Sequence, residues 1–392
     1  MQKKIIQDNT IAAMTSWRRE FHQCPEVGME EKLTSKKIET ILKSMPVDEV
    51  VTAIAGTGVV AVIKGKHPSK QGNNYRAIGL RADIDALPLQ ENGTPFYKSK
   101  HPGIMHACGH DGHMAMLLGA TQELAHSRDF AGNVYAIFQP GEEGFFGAQK
   151  MIEEGLFDRF PMDAIFGMHG WPDLPLGEFG LAPGAIMANS DELYITITGK
   201  GGHGAQPHHS PDPIVALSEL ILSLQTIVSR RINPHTPAVI SITEVHSGTT
   251  HNIIPATARL SGTARSLSSD VREFLKASIF QIAEGIAAIH NVKIDINYVY
   301  GYPVTINSER ETTLCKEVIS SIISHPQQLH YPVPASLGGE DFSYFAEKVP
   351  ACYIHLGIGT PSPLHHPDFD FPDEALAIGA KYWITLARTL LA

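Results

Sequence analysis

Between Met105 and Met114 the chain offers a thiol at Cys108, imidazoles at His106, His110 and His113, and a carboxylate at Asp111. Gly109 and Gly112 let the backbone turn closely, and the helix formers Met114 to Glu123 follow at once. Thiolate and imidazole together suit zinc and its neighbours in the first transition row. A helix starting just after Cys108 would favour ionisation of the thiol, and a bound divalent cation would complete it. Taken singly, each residue reads more simply as a packing or hydrogen-bonding group. The density of the cluster favours a metal site.

Further donors recur downstream, in turns behind apolar, strand-like runs. Gly132 to Phe138 delivers Gln139-Pro140-Gly141-Glu142-Glu143-Gly144, Ala164 to Met168 runs into His169-Gly170-Trp171, and His365-His366 stands within Pro363 to Phe371. Successive side chains leave an extended backbone in different directions, so one of Glu142 and Glu143 can ligate while the other stays free as a base. A solvated acidic turn, a histidine at a strand end and a polar loop are the plain alternatives. Each is acceptable alone, and their coincidence is improbable. Five such ligands, a bridging water and an open position would satisfy a dinuclear site.

The elements that must position these groups follow from periodicity. Ile11 to Cys24 and Glu30 to Met45 carry helical spacing, while Gly58 to Ile63 and Arg76 to Ala82 are short β-type runs. The second of these ends in Asp83-Ile84-Asp85, placing two carboxylates just beyond a strand's C-terminal end, the edge where open α/β sheets put their sites. The rhythm of strand, polar turn and helix predicts a mostly parallel sheet with helices on both faces.

Near Ser190 the texture changes. Leu193 to Gly199 alternates and is β-branched, and a Gly- and His-rich turn around His203 follows. Next come a helix from Pro213 to Arg230, strands at Ala238 to Val245 and Thr257 to Ala264, a helix from Ser269 to Ala288 and a strand from Val292 to Val299. That βαββαβ order predicts an inserted ferredoxin-like α+β domain over 189–301, with the α/β domain formed by 1–188 and 302–392.

A chain of 392 residues exceeds one ordinary core, and 43% hydrophobic with 18% charged residues describes a well-supplied globular protein. A net charge of -10 argues against nucleic-acid partners and anionic membrane surfaces, leaving small molecules or peptides as clients. Cys24, Cys108, Cys315 and Cys352 show no paired spacing, so reduced thiols and a cytoplasmic location are expected. Met1 to Lys4 is followed by only Ile5-Ile6, too short for a signal peptide, and no segment is expected to approach the length of a membrane-spanning helix.

The motifs His106-Ala107-Cys108-Gly109-His110-Asp111-Gly112-His113, Gln139 to Gly144, Met168-His169-Gly170, Gly201 to His208 and Leu364-His365-His366-Pro367 resemble those of the amidohydrolase branch of the dinuclear zinc aminoacylase and carboxypeptidase superfamily. That branch holds hippurate hydrolases, N-acyl-amino-acid amidohydrolases, N-acetyl-diaminopimelate deacetylases and auxin-conjugate hydrolases. The resemblance runs from Arg18-Arg19-Glu20-Phe21-His22 to Phe369-Asp370-Phe371. It implies a zinc-exopeptidase-like catalytic domain, two divalent ions per subunit (Zn, Mn, Co or Ni), Cys108, His110, Glu143, His169 and His365 as ligands, and Glu142 as general base. It further implies a homodimer formed through the inserted domain, His203 reaching the partner's active site, and Asn252 and Arg265 contacting the carboxylate end of an N-acyl amino acid. The wider superfamily carries a ligand histidine before the strand-end aspartate; here the strand reads Arg81-Ala82-Asp83, and Cys108 supplies the missing ligand. Alignment to Leu364 favours His365, with His366 the alternative.

Other readings remain at this level. The same site could serve a dipeptidase or carboxypeptidase. Cys108 could be a nucleophile with His110 or His113 as its base, or the chain could bind metal without turnover.

Overall fold

The computed structural model describes residues 5–68 and 75–392; the expectation about Met1 to Lys4 lies outside them. Two compact units form, the larger from residues 1–184, 306–334 and 341–392, the smaller from 185–305 and 335–340. The crossings thus fall four residues before and four after the expected ones, and a short return segment, 335–340, goes with the smaller unit. Within that unit Gly338 accepts the Ala188 N–H at 2.9 Å. Such an excursion has no apolar period of its own and leaves no trace in the sequence.

In the larger unit the helices α1 (Asp8–Gln23) and α2 (Lys32–Lys43) precede strands β1 (Glu49–Ile54), β2 (Gly58–Lys64) and β3 (Ala77–Asp83). Helix α3 (His110–Ser127), β4 (Asn133–Gln139), α4 (Gly147–Glu153) and β5 (Ala164–Trp171) follow. Among the described residues the sheet has eight strands in the order β1, β2, β4, β3, β5, Ala351–Gly357, Phe179–Gly180, Leu329–His330. The four central strands run parallel, and the antiparallel pairings lie towards the two ends.

Both faces of the centre are covered, which is why these strands read as nearly continuous apolar runs. On one face Ile78, Leu80, Val134 and Phe138 join Met14, Leu117 and Trp383 from the helices. On the other, Tyr135 meets Phe160 with ring centroids 5.5 Å apart and Tyr353 meets Phe342 at 5.2 Å. Asp83 pairs in register with Gln139, so the chain after each strand leaves from the same sheet edge.

The smaller unit is a four-stranded antiparallel sheet in the order Ala238–Ser247, Thr257–Ser266, Asp191–Thr198, Lys293–Val299. The alternating burial of Asp191–Thr198 matches its alternating sequence. Leu193, Ile195 and Ile197 pack with Leu217, Leu220, Leu224, Leu275 and Ile279 from the two helices. Asp212 and Ser268 cap those helices, accepting the Ile214 N–H at 2.8 Å and the Val271 N–H at 3.2 Å. The first helix ends at Thr226 and continues as a π turn to Arg231. One expectation is corrected here: Pro213–Arg231, 19 residues, is long and apolar enough to pass as a membrane span by length and composition. Its inner face, with Ala216, Leu220 and Leu224, belongs to this core instead.

Candidate metal centre

The sheet edge brings the scattered donors together. Cys108, His110 and His169 each present a donor atom within 4.8 Å of the other two, as do Cys108, Glu143 and His365, and His110, Glu142 and Glu143. Cys108 Sγ lies 3.3 Å from His169 Nε2. Glu143 Oε1 lies 3.2 Å from His365 Nε2.

Local structure explains who points inward. Gly109, at φ +86°, sits just ahead of α3, and a Cβ there would come within 2.9 Å of Phe371, so glycine is required for the turn that presents Cys108 and His110. His110 Nδ1 donates to the Asp85 carbonyl at 2.9 Å and His169 Nδ1 to the Gly170 carbonyl at 2.8 Å. Each bond leaves the Nε2 facing the cluster, the arrangement by which outer hydrogen bonds orient metal-binding imidazoles. His113 differs: Asp83 Oδ1 holds its Nδ1 at 2.7 Å, and its Nε2 accepts the Gly170 N–H at 2.9 Å. Both His113 nitrogens are thus engaged in hydrogen bonds, although its donor atoms also lie within 4.8 Å of those of Asp83 and His110.

The backbone places His365 and His366 differently. His365 adopts φ +61° and donates its N–H to the Ala107 carbonyl at 2.8 Å, which swings its ring to Glu143. His366 faces Asp368 at 3.7 Å instead.

Do these residues suit a cation? His110 Nε2 is buried with no hydrogen-bond partner, as is Asp85 Oδ1, and a buried polar atom without a partner is costly. Burial alone would lower the His110 pKa, but Asp83, Asp85 and Glu143 raise it to about 10. Burial and the charges of Glu143, Glu142 and Asp83 push the Cys108 thiol well above its ordinary value. The expected help from the helix start is therefore outweighed, and a thiolate here requires a cation. Burial holds His169 neutral, with its lone pair available. Glu143 stays below the ordinary carboxyl value, because His365 and His110 outweigh the opposing effect of burial. An anionic pocket of soft and borderline donors, whose protons a cation would displace, fits the divalent ions named above.

Sequence reasoning noticed Asp83 and Asp85 but gave them no part. Asp85 Oδ2 accepts the Glu143 N–H at 2.9 Å, while its carbonyl holds His110. Beneath the Glu142 turn, Arg81 is buried between Gln139, at 2.7 Å, and the carboxylates of Asp83 and Asp341, at 2.8 and 3.0 Å. Their signal was the pair of carboxylates at a strand's C-terminal end.

The remaining candidates belong to the smaller unit. His203 pairs with Ile253 on a short antiparallel ladder, and Gly204 donates its N–H to the Asn252 carbonyl at 2.9 Å, so His203 and Asn252 are neighbours. Arg265 is half-buried and donates to the Leu337 carbonyl at 3.1 Å.

Residues 79–389 match Peptidase family M20/M25/M40. The chain is 41% identical to the hippurate hydrolase of Campylobacter jejuni, over 95% of each chain. It is 40% identical to the N-acetyl-L-cysteine deacetylase of Bacillus subtilis, over 94% of this chain and 85% of that one. The Bacillus subtilis YXEP protein, a dinuclear metal binding peptidase of the M20 family, superposes with a TM-score of 0.84 at 34% identity, covering 98% of this chain and 99% of its own. With its sheet edge, its donor cluster and these relatives in view, the chain belongs to peptidase family M20/M25/M40 and is a hydrolase acting on amides.

Proposed function

We propose that the protein is a metal-dependent amidohydrolase that removes the acyl group from N-acyl amino acids of the hippurate or N-acetyl type. The observation that carries this reading is the convergence of Cys108, His110, Glu142, Glu143, His169 and His365 at one sheet edge. Cys108, His110, Glu143, His169 and His365 are the proposed ligands. Two divalent cations, when bound, would supply Lewis acidity and an acidified water.

Glu142 takes a proton from the attacking water and delivers it to the amine as the amide C–N bond breaks, so acid and free amino acid leave with one water consumed. A positioned base of this kind contributes about 10²–10⁴ in rate. Glu142 suits the task because the Glu143 N–H, next to it, is tied to Asp85 while its own carboxylate stays within reach of His110. A cysteine nucleophile is disfavoured by the raised thiol pKa. His203 is proposed to complete the site of a partner subunit across a dimer formed by the smaller unit, with Asn252 and Arg265 receiving the substrate's carboxylate. A cytoplasmic location accords with the four free cysteines.

The test couples metal analysis to a panel of benzoyl-glycine, N-acetyl amino acids and dipeptides. Chelator-sensitive deacylation is expected, with Glu142→Gln retaining metal and losing at least about 10²-fold in kcat. A Glu142→Gln enzyme within tenfold of wild type, on the order of 1.4 kcal/mol, would remove Glu142 as base, and turnover of dipeptides alone would make the protein a peptidase.

A further inference from the structure

Glu31 is wholly buried, immediately ahead of α2, yet its side chain makes no capping bond to that helix. It turns instead towards the segment that carries Glu142. Oε1 accepts the Gly141 N–H at 2.8 Å and Oε2 accepts the Thr57 hydroxyl at 2.6 Å. Burial raises the Glu31 pKa, with Asp85 adding to it. Placing a carboxyl where ionisation is opposed is expensive unless its hydrogen bonds are needed.

The need lies in the turn. Pro140 has no N–H, Gly141 is at φ +59°, and the N–H groups on either side of Glu142 are both held by buried carboxylates, Gly141 by Glu31 and Glu143 by Asp85. The Gly141 N–H belongs to the Pro140–Gly141 peptide, one link before the peptide that carries the Glu142 N–H, and the Glu143 N–H to the peptide just after Glu142, so the two bonds pin the turn on both sides of the base and restrict where its side chain can point. Asp85 is also bound up with His110; Glu31 reaches the turn from a different part of the chain.

We propose that Glu31 is a positioning residue for the reaction at Glu142, acting through the Gly141 peptide. This rests on the reading of Glu142 as the base. A misplacement of the order of 1 Å can cost about 10²-fold in rate. Glu31→Ala is therefore expected to lower kcat roughly tenfold to hundredfold, per folded and metal-loaded molecule, with KM within about threefold of wild type.

In the metal-free protein the same variant should speed amide hydrogen exchange in the peptide spanning 139–147. Glu31→Gln keeps an oxygen for the Gly141 N–H and should bring kcat and exchange back to within about threefold of wild type. If Glu31→Ala does not fold, Thr57→Val, which removes the hydroxyl orienting the carboxyl, should lower kcat in the same direction. An unchanged kcat in Glu31→Ala or, failing that, Thr57→Val overturns the proposal, as does unaltered exchange or a Glu31→Gln as damaged as Glu31→Ala. An active Glu142→Gln would mark the separate failure of the base assignment.

Discussion

Glu142 and Glu143 are chemically identical neighbours, and their surroundings make them different. Glu143 is drawn towards His365 and Cys108, while Glu142 shares a candidate group with His110 and Glu143. The same logic separates His365 from His366: both are exposed, but the left-handed backbone at His365 accompanies a ring that meets Glu143, whereas His366 faces Asp368. His365→Asn is expected to lower bound metal towards one equivalent per chain and to abolish most activity. His366→Asn should change neither. Elemental analysis of the two purified variants distinguishes them, and equal metal loss in both would undo the assignment.

At the scale of elements, the base-bearing turn and the α1–α3 contact each make a checkable demand. A Cβ at Gly147, the first residue of α4, would lie 1.6 Å from the Pro140 carbonyl oxygen, so Gly147→Ala must displace the turn. A loss of roughly 1–3 kcal/mol or more is expected, read as a lowered Tm. Gly285, exposed on the helix Ser269–His290 with nothing near its missing Cβ, is the contrast. There Gly→Ala should stabilise by about 0.5–1 kcal/mol.

His22 of α1 and Asp111 of α3 meet at 2.9 Å, with Glu91 at 3.5 Å. Burial opposes charge on His22, but the two carboxylates raise its pKa from 6.5 to about 9. A raised folded-state pKa stabilises fully below the unfolded value and fades as pH rises through the folded one. The stability advantage of wild type over His22→Gln should therefore shrink between about pH 6.5 and pH 9. Urea unfolding across that range measures it, and a constant difference would mean that His22 is neutral in the fold.

For the whole molecule, the division of labour between units has a thermal consequence. All five proposed ligands and Glu142 lie in the larger unit, as do Trp17, Trp171 and Trp383, whereas the smaller unit has its own core and no tryptophan. A ligand present at a hundred times its dissociation constant stabilises by about 2.7 kcal/mol. Chelation should thus lower the midpoint followed by tryptophan fluorescence while a calorimetric transition of the smaller unit stays in place. If both transitions fall equally, the metal is not confined to the larger unit.

Much of this was legible in the chain itself. The alternation in Asp191–Thr198, the apolar runs of β2 to β5 and the helical spacing of α1 are local patterns, so the sequence by itself determined the elements, their α/β and α+β textures and the residue types able to ligate a cation. Only the tertiary structure decided which donors are available. His113 is taken up by Asp83 and Gly170, His110 is turned inward by the Asp85 carbonyl, and Glu31 reaches a turn 110 residues away to hold the Gly141 N–H. The physical reason is that a side chain's readiness to bind or react depends on which of its polar atoms are already satisfied, and those partners come from segments that no local period relates.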